Sequence, residues 1–346
     1  MGSFTGNAII SKAKSIYGNR LKAHDYEYLV KVRTIPEIVT YLKNKVNYRE
    51  YIVDVHEQNI HRGQLEELIK KAHFGHTIKL VKFVDTKDRK FFELNMIQRE
   101  IDVILSVLRS IISDEDEHDY SDYPTFFTKH ASFDLFDLTE SKTFPQLLEN
   151  LSSTRYFNVV EPFNVKRHED IDYTRIEHEM DKLYYDIAFS RIDELYKGKE
   201  HDQLRDIFQN KVELENIIKV YRLKKFYNAD KQTIMQTLIL SHSKLSQRKL
   251  EELIRLPEAD LIYYYLERSG HSTPIEKNQD YVYVEYYAEK IKHNLAKKYI
   301  YFSNNASEVY SAFLILNEIE RDNLFNLIEG IRYELSEEEI KKMLIY

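Results

Sequence analysis

The sequence predicts an all-α protein built from three similar helical modules. Three observations carry this expectation. A proline-led helix start returns at domain-length intervals, as Thr34-Ile35-Pro36-Glu37, Thr143-Phe144-Pro145-Gln146 and Arg255-Leu256-Pro257-Glu258. Glycine and proline are scarce, 8 and 6 residues in 346, where ordinary usage is about 7% and 5%. Strand-like patterning is confined to Thr77 to Val84 and Val159-Val160, enough for small strands and too little for a sheet core.

The repeated start has a physical basis. Thr34 with Glu37 and Thr143 with Gln146 fit the reciprocal capping box, in which the hydroxyl and the acid or amide satisfy each other's backbone N–H. Proline in the first turn lacks an N–H that the helix leaves unpaired anyway. The third copy keeps Pro257 and Glu258 but has Arg255 at the cap position. Each proline leads an apolar run: Ile38, Val39 and Leu42; Leu147, Leu148 and Leu151; Leu261, Ile262 and Leu266. Pro162 and Pro274 follow at equal distance in the second and third copies, where the first has Val53.

In chain order the pattern predicts one or two helices over 5–32 and shorter ones over 35–47 and 61–73. A longer helix follows over 91–112. The acidic tract 113–122, ending before Pro124, reads as a solvated loop between modules. The second module carries helices over 145–152, 170–197 and 201–228, with Lys197-Gly198-Lys199 as a stop. The third carries helices over 231–241, 244–254, 257–268, 281–300 and 306–334, with a turn over 269–274. The modules are therefore placed at 1–117, 118–230 and 231–346.

A second feature recurs on the last helix of each module. Val212-Glu213-Leu214-Glu215-Asn216-Ile217-Ile218 parallels Ile319-Glu320-Arg321-Asp322-Asn323-Leu324-Phe325. The first module offers Gln98-Arg99-Glu100-Ile101-Asp102, with the register open by one residue and Ile101 or Asp102 at the Asn position. At about 100° per residue, Leu316, Glu320, Asn323, Leu327 and Ile331 share one face. A carboxylate within an apolar stripe requires a partner or a proton. Glu320, and with it Glu213, is expected to accept hydrogen bonds from an Arg or a neighbouring helix end and to fix module packing.

Composition narrows the chemistry. Hydrophobic residues make up 43% and charged residues 31%, which is globular. No apolar run approaches the about 18 residues that span a bilayer, and no signal-peptide pattern is present. The absence of Cys excludes disulfides, thiolate catalysis and Cys-ligated metals. A net charge of −7 argues against nucleic acid as main partner. Neither GxxxxGK[ST] nor GxGxxG occurs. His56 and His61 stand i, i+5, out of the i, i+4 register that zinc needs on one helix face. Glu177, His178, Glu179 and Asp181 read as a charged helix face. The carboxylates of 114–119 are the one opening for a magnesium-dependent diphosphate enzyme, but such a site needs a second facing cluster. No catalytic residue, cofactor or metal ligand is assigned. An unrelated helical scaffold or adaptor is the wider alternative. Tyr is abundant, 27 against no Trp, and Tyr263 to Tyr265 with Tyr281, Tyr283, Tyr286 and Tyr287 are candidate partner contacts.

The order of these residues closely resembles the central-stalk subunit of rotary vacuolar-type and archaeal-type ATPases, known as the C subunit in prokaryotes and the d subunit in eukaryotes. The resemblance rests on residues 20–42, on Glu213-Leu214-Glu215-Asn216-Ile217 and Ile319-Glu320-Arg321-Asp322-Asn323-Leu324, and on Leu335-Ser336-Glu337-Glu338-Glu339-Ile340. It implies a funnel-shaped array of the three domains with pseudo-threefold symmetry, seated peripherally on the cytoplasmic face of the membrane rotor ring. The open side would receive the central axle. On this resemblance the protein is non-catalytic and couples axle to ring in ATP-driven H⁺ or Na⁺ transport or in ATP synthesis. The repeat positions Pro36, Pro145, Pro257, Glu213, Asn216, Glu320 and Asn323 would then be structural.

Overall fold

The computed structural model describes residues 4–57, 60–82, 84, 89–113, 125–165, 167, 170–268 and 284–346. Regular structure among them is helical throughout. In chain order the helices are α1 (Phe4–Gly18), α2 (Ala23–Leu29), α3 (Ile35–Lys43), α4 (Val46–Ile52), α5 (Arg62–Val81), α6 (Arg89–Phe92) and α7 (Leu94–Ser113). Then come α8 (Thr125–His130), α9 (Leu135–Thr139), α10 (Phe144–Leu151), α11 (Phe157–Val160), α12 (Tyr173–Leu195) and α13 (Gly198–Lys225). The remainder are α14 (Lys231–Gln236), α15 (Gln247–Ile254), α16 (Ile262–Arg268), α17 (Val284–Phe302), α18 (Ala306–Arg332) and α19 (Glu337–Lys342).

The stretches that suggested small strands fall on helices through Val81 and over Val159-Val160. Thr77 continues α5, whose buried face holds Leu65, Ile69, Ala72 and Leu80. Val159 and Val160 close the short α11. Burial against neighbouring helices here overrides β-branched preference. The acidic tract beyond Ser113 and the turn containing Pro274 lie outside the described residues.

The proline-led starts are realised twice. Pro36 and Pro145 occupy the first turns of α3 and α10. The Glu37 carboxylate accepts from the Thr34 amide at 3.0 Å and its hydroxyl at 2.9 Å. The Thr143 hydroxyl accepts from the Gln146 amide at 3.4 Å, while Gln146 Oε1 accepts from the Thr143 amide at 3.2 Å. Pro257 does not open a helix. Arg255 ends α15, and a 3₁₀ turn, Ala259–Leu261, precedes α16. Without a capping side chain, the third start is delayed by about one turn.

The chain forms two compact units: Met1–Asp85 with Leu261–Tyr346, and Thr86–Asp260. In the first, α18 packs against α1, α5, α17 and α19. Leu324, Leu327 and Ile328 on α18 join Leu29, Val39, Leu42, Ile52, Leu65 and Ile69 in one core. The second unit is organised around α12, which packs on α6, α7, α11 and α13. Ile104, Leu108, Met180, Ile192, Leu214 and Ile217 are fully buried there. α18 lies with the chain's first helices, and α7 lies with α9.

Two glycines permit close helix contacts in the first unit. A Cβ on Gly75 would collide with the Tyr51 hydroxyl, and one on Gly330 would meet Ile340 Cγ1 at 2.6 Å. Ile340 is the buried anchor of α19, whose start is a Ser336–Glu339 capping box. Overpacking of this kind costs roughly 1–3 kcal/mol. Gly330→Ala is thus expected to lower unfolding stability by that amount and to loosen α19. Urea denaturation with hydrogen exchange of the α19 amides checks it, and unchanged stability would show that Ile340 yields freely.

Candidate functional site: buried carboxylate cradles

Glu320 sits mid-way along α18, buried, between Leu316 and Leu324. Its Oε2 accepts from the Leu21 amide at 3.2 Å, and its Oε1 accepts from the Tyr48 hydroxyl at 2.6 Å. Leu21 lies just before α2, whose amides at that end have no partner within the helix. Three residues on, Asn323 Oδ1 accepts from the Ile345 amide at 2.8 Å while its Nδ2 donates to the Ile345 carbonyl at 2.7 Å. That Nδ2 also lies 3.2 Å from the Tyr26 hydroxyl. One helical turn of α18 thus holds the returning C-terminal segment and the segment before α2.

The other copies repeat this construction in part. In the second unit the Glu100 carboxylate on α7 accepts from the Ser132 amide and from the Tyr156 hydroxyl. Amide plus tyrosine is the same donor pair that holds Glu320. Asn216 on α13 makes the same two-point clip as Asn323, with Ile239 N–H to Oδ1 at 2.9 Å and Nδ2 to the Ile239 carbonyl at 2.8 Å. Glu213 is buried one turn earlier. Glu215 accepts from the Tyr185 hydroxyl at 2.6 Å.

Glu100 fixes the register that the sequence left open. Glu100 and Asp102 take the places of Glu320 and Asp322, so Val103, not Ile101 or Asp102, stands where the others have Asn. Val103 is buried, and its apolar side chain cannot make the clip. The signal was present in sequence as the Glu-x-Asp spacing. The tyrosines that complete each cradle, Tyr48 and Tyr156, were not identified from sequence. Their similar placement, 12 and 11 residues after Pro36 and Pro145, was the signal available.

The network extends behind Tyr48. The Tyr48 oxygen lies 2.9 Å from His73 Nε2, and His73 Nδ1 lies 2.8 Å from Asn317 Oδ1. Asn317 Nδ2 donates to the His73 carbonyl at 2.9 Å. Burial pushes the Glu320 carboxyl up from 4.5 to about 7, against the opposing pull of Tyr48, the Leu21 amide and Arg20. Burial likewise keeps the Tyr48 and Tyr26 phenols far above their ordinary value.

The remaining sequence candidates resolve differently. Tyr287 is buried, edge-on to Tyr263 with ring centroids 4.8 Å apart, and belongs to the core. Tyr264 is half exposed, and Tyr281 and Tyr283 lie outside the described residues. His61 caps the start of α5, its amide donating to Gln64 Oε1. Asp181 pairs with Lys219 at 2.9 Å. Among the described residues no cluster of three metal-ligating side chains occurs. The 114–119 carboxylates lie outside those residues.

Removing a clip leaves a buried N–H and C=O unpaired, at about 1–3 kcal/mol for each orphaned group. Asn323→Ala and Asn216→Ala are each expected to destabilise their unit by roughly 2–4 kcal/mol. Urea unfolding checks this, and a loss below about 0.5 kcal/mol would mean that water replaces the clip. Glu320 adds a pH dependence of definite sign. Its folded value lies above its unfolded one, so its contribution is complete below about pH 4.5 and is lost as pH rises through 7. Wild type should lose roughly 3 kcal/mol more than Glu320→Gln between those limits. Parallel unfolding curves for the two proteins would contradict the assignment.

Comparison with known proteins fits these features. Residues 9–343 match the model of the family described as ATP synthase (C/AC39) subunit. The C subunit of an A-type ATP synthase from Desulfurococcus sp. (strain SY) is 24% identical over 220 residues, covering 62% of this chain and 56% of that protein. The corresponding A-type ATP synthase C subunit from Methanosarcina mazei is 29% identical over 130 residues, 36% of this chain and 32% of that protein. The matched stretches thus span about half and a third of those relatives. With the family match running over nearly the whole chain and the cradle helices inside it, this chain belongs to the ATP synthase (C/AC39) subunit family.

Proposed function

We propose that this chain is a non-catalytic central-stalk subunit of a V/A-type rotary ATPase. It couples the central axle to the cytoplasmic face of the membrane rotor ring, in ATP-driven H⁺ or Na⁺ transport or in ATP synthesis. The observation that carries the proposal is the family match over residues 9–343. Both curated relatives are C subunits of A-type ATP synthases, which supports the same placement.

The repeat architecture supports the reading further. Glu100 on the last helix of the first module grips the head of the second, through Ser132 and Tyr156. Glu320 on the last helix of the third grips the head of the first, through Leu21 and Tyr48. A hand-over from last copy to first is what a closed, pseudo-threefold funnel of the modules 1–117, 118–230 and 231–346 requires. Among the described residues no helix is long and apolar enough to cross a membrane, in keeping with a peripheral seat on the ring. The repeat residues Pro36, Pro145, Pro257, Glu213, Asn216, Glu320 and Asn323 act structurally in this reading, and partner docking falls to the surface.

The test is isolation of the chain with its partners from detergent-solubilised native membranes. Recovery of axle and rotor-ring subunits in one complex, with no ATP turnover by the isolated chain, is expected. Recovery of the chain alone, under conditions that keep a rotary ATPase intact, would overturn the proposal.

A further inference from the structure

The line from Glu320 through Tyr48 to His73 and Asn317 contains more short polar contacts than its ordinary complement of hydrogens can fill. Three contacts are in line: Glu320 Oε1 to Tyr48 O at 2.6 Å, Tyr48 O to His73 Nε2 at 2.9 Å, and His73 Nδ1 to Asn317 Oδ1 at 2.8 Å. Each needs one hydrogen. The Asn317 amide cannot supply one, because its Nδ2 is turned to the His73 carbonyl and its Oδ1 faces the ring. Tyr48 brings one hydrogen and a neutral His73 brings one. The third must be an acid proton.

We infer that the Glu320–Tyr48–His73 line holds one shared proton, and that this proton latches the chain's N-terminal segment to α18. Two arrangements satisfy all three contacts. In one, Glu320 carries the proton on Oε1 and donates to the Tyr48 oxygen, Tyr48 donates to His73 Nε2, and neutral His73 donates from Nδ1 to Asn317. In the other, the Glu320 proton has passed to the Tyr48 oxygen as Tyr48's own proton passed to His73 Nε2. That leaves a carboxylate, a neutral phenol and an imidazolium. No proton is gained or lost and no heavy atom moves. Oε2 accepts from Leu21 in both.

Neighbouring groups fit this count. Arg20 favours the carboxylate and Asp25 opposes it. Asp25 is itself held ionised by Lys45 and Tyr41. The phenols of Tyr17 and Tyr26 are pushed up and stay neutral. His76 on α5 is held neutral by burial; its one hydrogen goes from Nε2 to the Asn47 carbonyl at 2.9 Å, in preference to Asn317 Oδ1, which lies 3.4 Å from its Nδ1. Beyond it, Lys79 pairs with Glu50. On α17, burial drives His293 down to about 4. Withdrawal of the shared proton leaves two hydrogens for three contacts around a buried carboxylate. The relief available is to separate Leu21 and Tyr48 from α18 and admit water. These contacts join residues 299 and 272 positions apart in the chain.

The test is NMR of uniformly labelled full-length chain between about pH 4.5 and 9, reading the Glu320 carboxyl carbon, the His73 ring nitrogens and Leu21 amide exchange. One common midpoint at Glu320 and His73 is expected. Above it, Leu21 exchange should exceed the intrinsic base-catalysed rise by roughly tenfold or more. Glu320→Gln supplies a permanent donor to Tyr48, so the His73 step should vanish and Leu21 stay protected. In Tyr48→Phe the two groups should titrate separately. Wild-type midpoints more than about one pH unit apart would overturn the inference, as would a His73 step unchanged in Glu320→Gln. The wild-type comparison decides the matter even where a variant fails to fold.

Discussion

A carboxylate buried on the apolar face of a long helix must find hydrogens outside its own helix. Every backbone amide nearby on α18 is already spent in the helical ladder. Glu320 finds them at the amide before α2 and at a tyrosine on α4. Its burial therefore commits two distant segments to fixed positions, and much of the first unit's arrangement follows. The Asn323 clip commits a third, the returning C-terminus. With three segments pinned along about one turn, the apolar residues around them have one good packing solution.

The same logic explains why the cradle is repeated while its details vary. Glu100 keeps the amide-plus-tyrosine donors but has the buried Val103 in place of the carboxamide. Asn216 keeps the clip in full. The clip seats the strap that follows α13 and α18, and fixes its register by direction as well as by volume. The long helices in both clips end alike. Asn228 and Glu334 take the left-handed backbone that breaks the helix, and capped short helices follow at Asp230 and Ser336. That common ending sets the chain length from Asn to its clipped partner at 23 and 22 residues.

Most of this fold was legible in the sequence because its signals are local. Capping boxes, a scarcity of turn residues and apolar stripes at helical spacing each act within a few residues, so α3, α10, α13 and α18 stand close to where periodicity puts them. The misreadings arise where long-range packing decides. Thr77 and Val160 have strand-like preferences but lie on helices because their neighbours bury that face. Pro257 carries a start signal without its capping side chain, and the helix begins later. The carboxylate on α18 was legible as an anomaly in an apolar stripe. Its partners were not, since Leu21 and Tyr48 are brought to it by the fold alone. The Glu100 register was carried by the Glu-x-Asp spacing, but the partners that hold it, Ser132 and Tyr156, were not legible.

In the coupling role proposed above, internal seams would bear shear, and apolar packing resists shear poorly. Dispersion contacts are individually worth only about 0.1–0.2 kcal/mol and have no preferred direction, so side chains can slide along a groove with little change in buried area. A hydrogen bond weakens steeply once its angle falls toward about 120°. A displaced buried carboxylate or amide loses its partners outright, at about 1–3 kcal/mol or more for each group. Placing Glu320 and Asn323 inside the apolar stripe of α18 therefore adds directional stiffness where burial alone would leave slip. In some proteins, buried polar groups contribute less to net stability than to uniqueness of register. In the coupling role proposed above, a fixed register is the property that the transmitted motion would depend on.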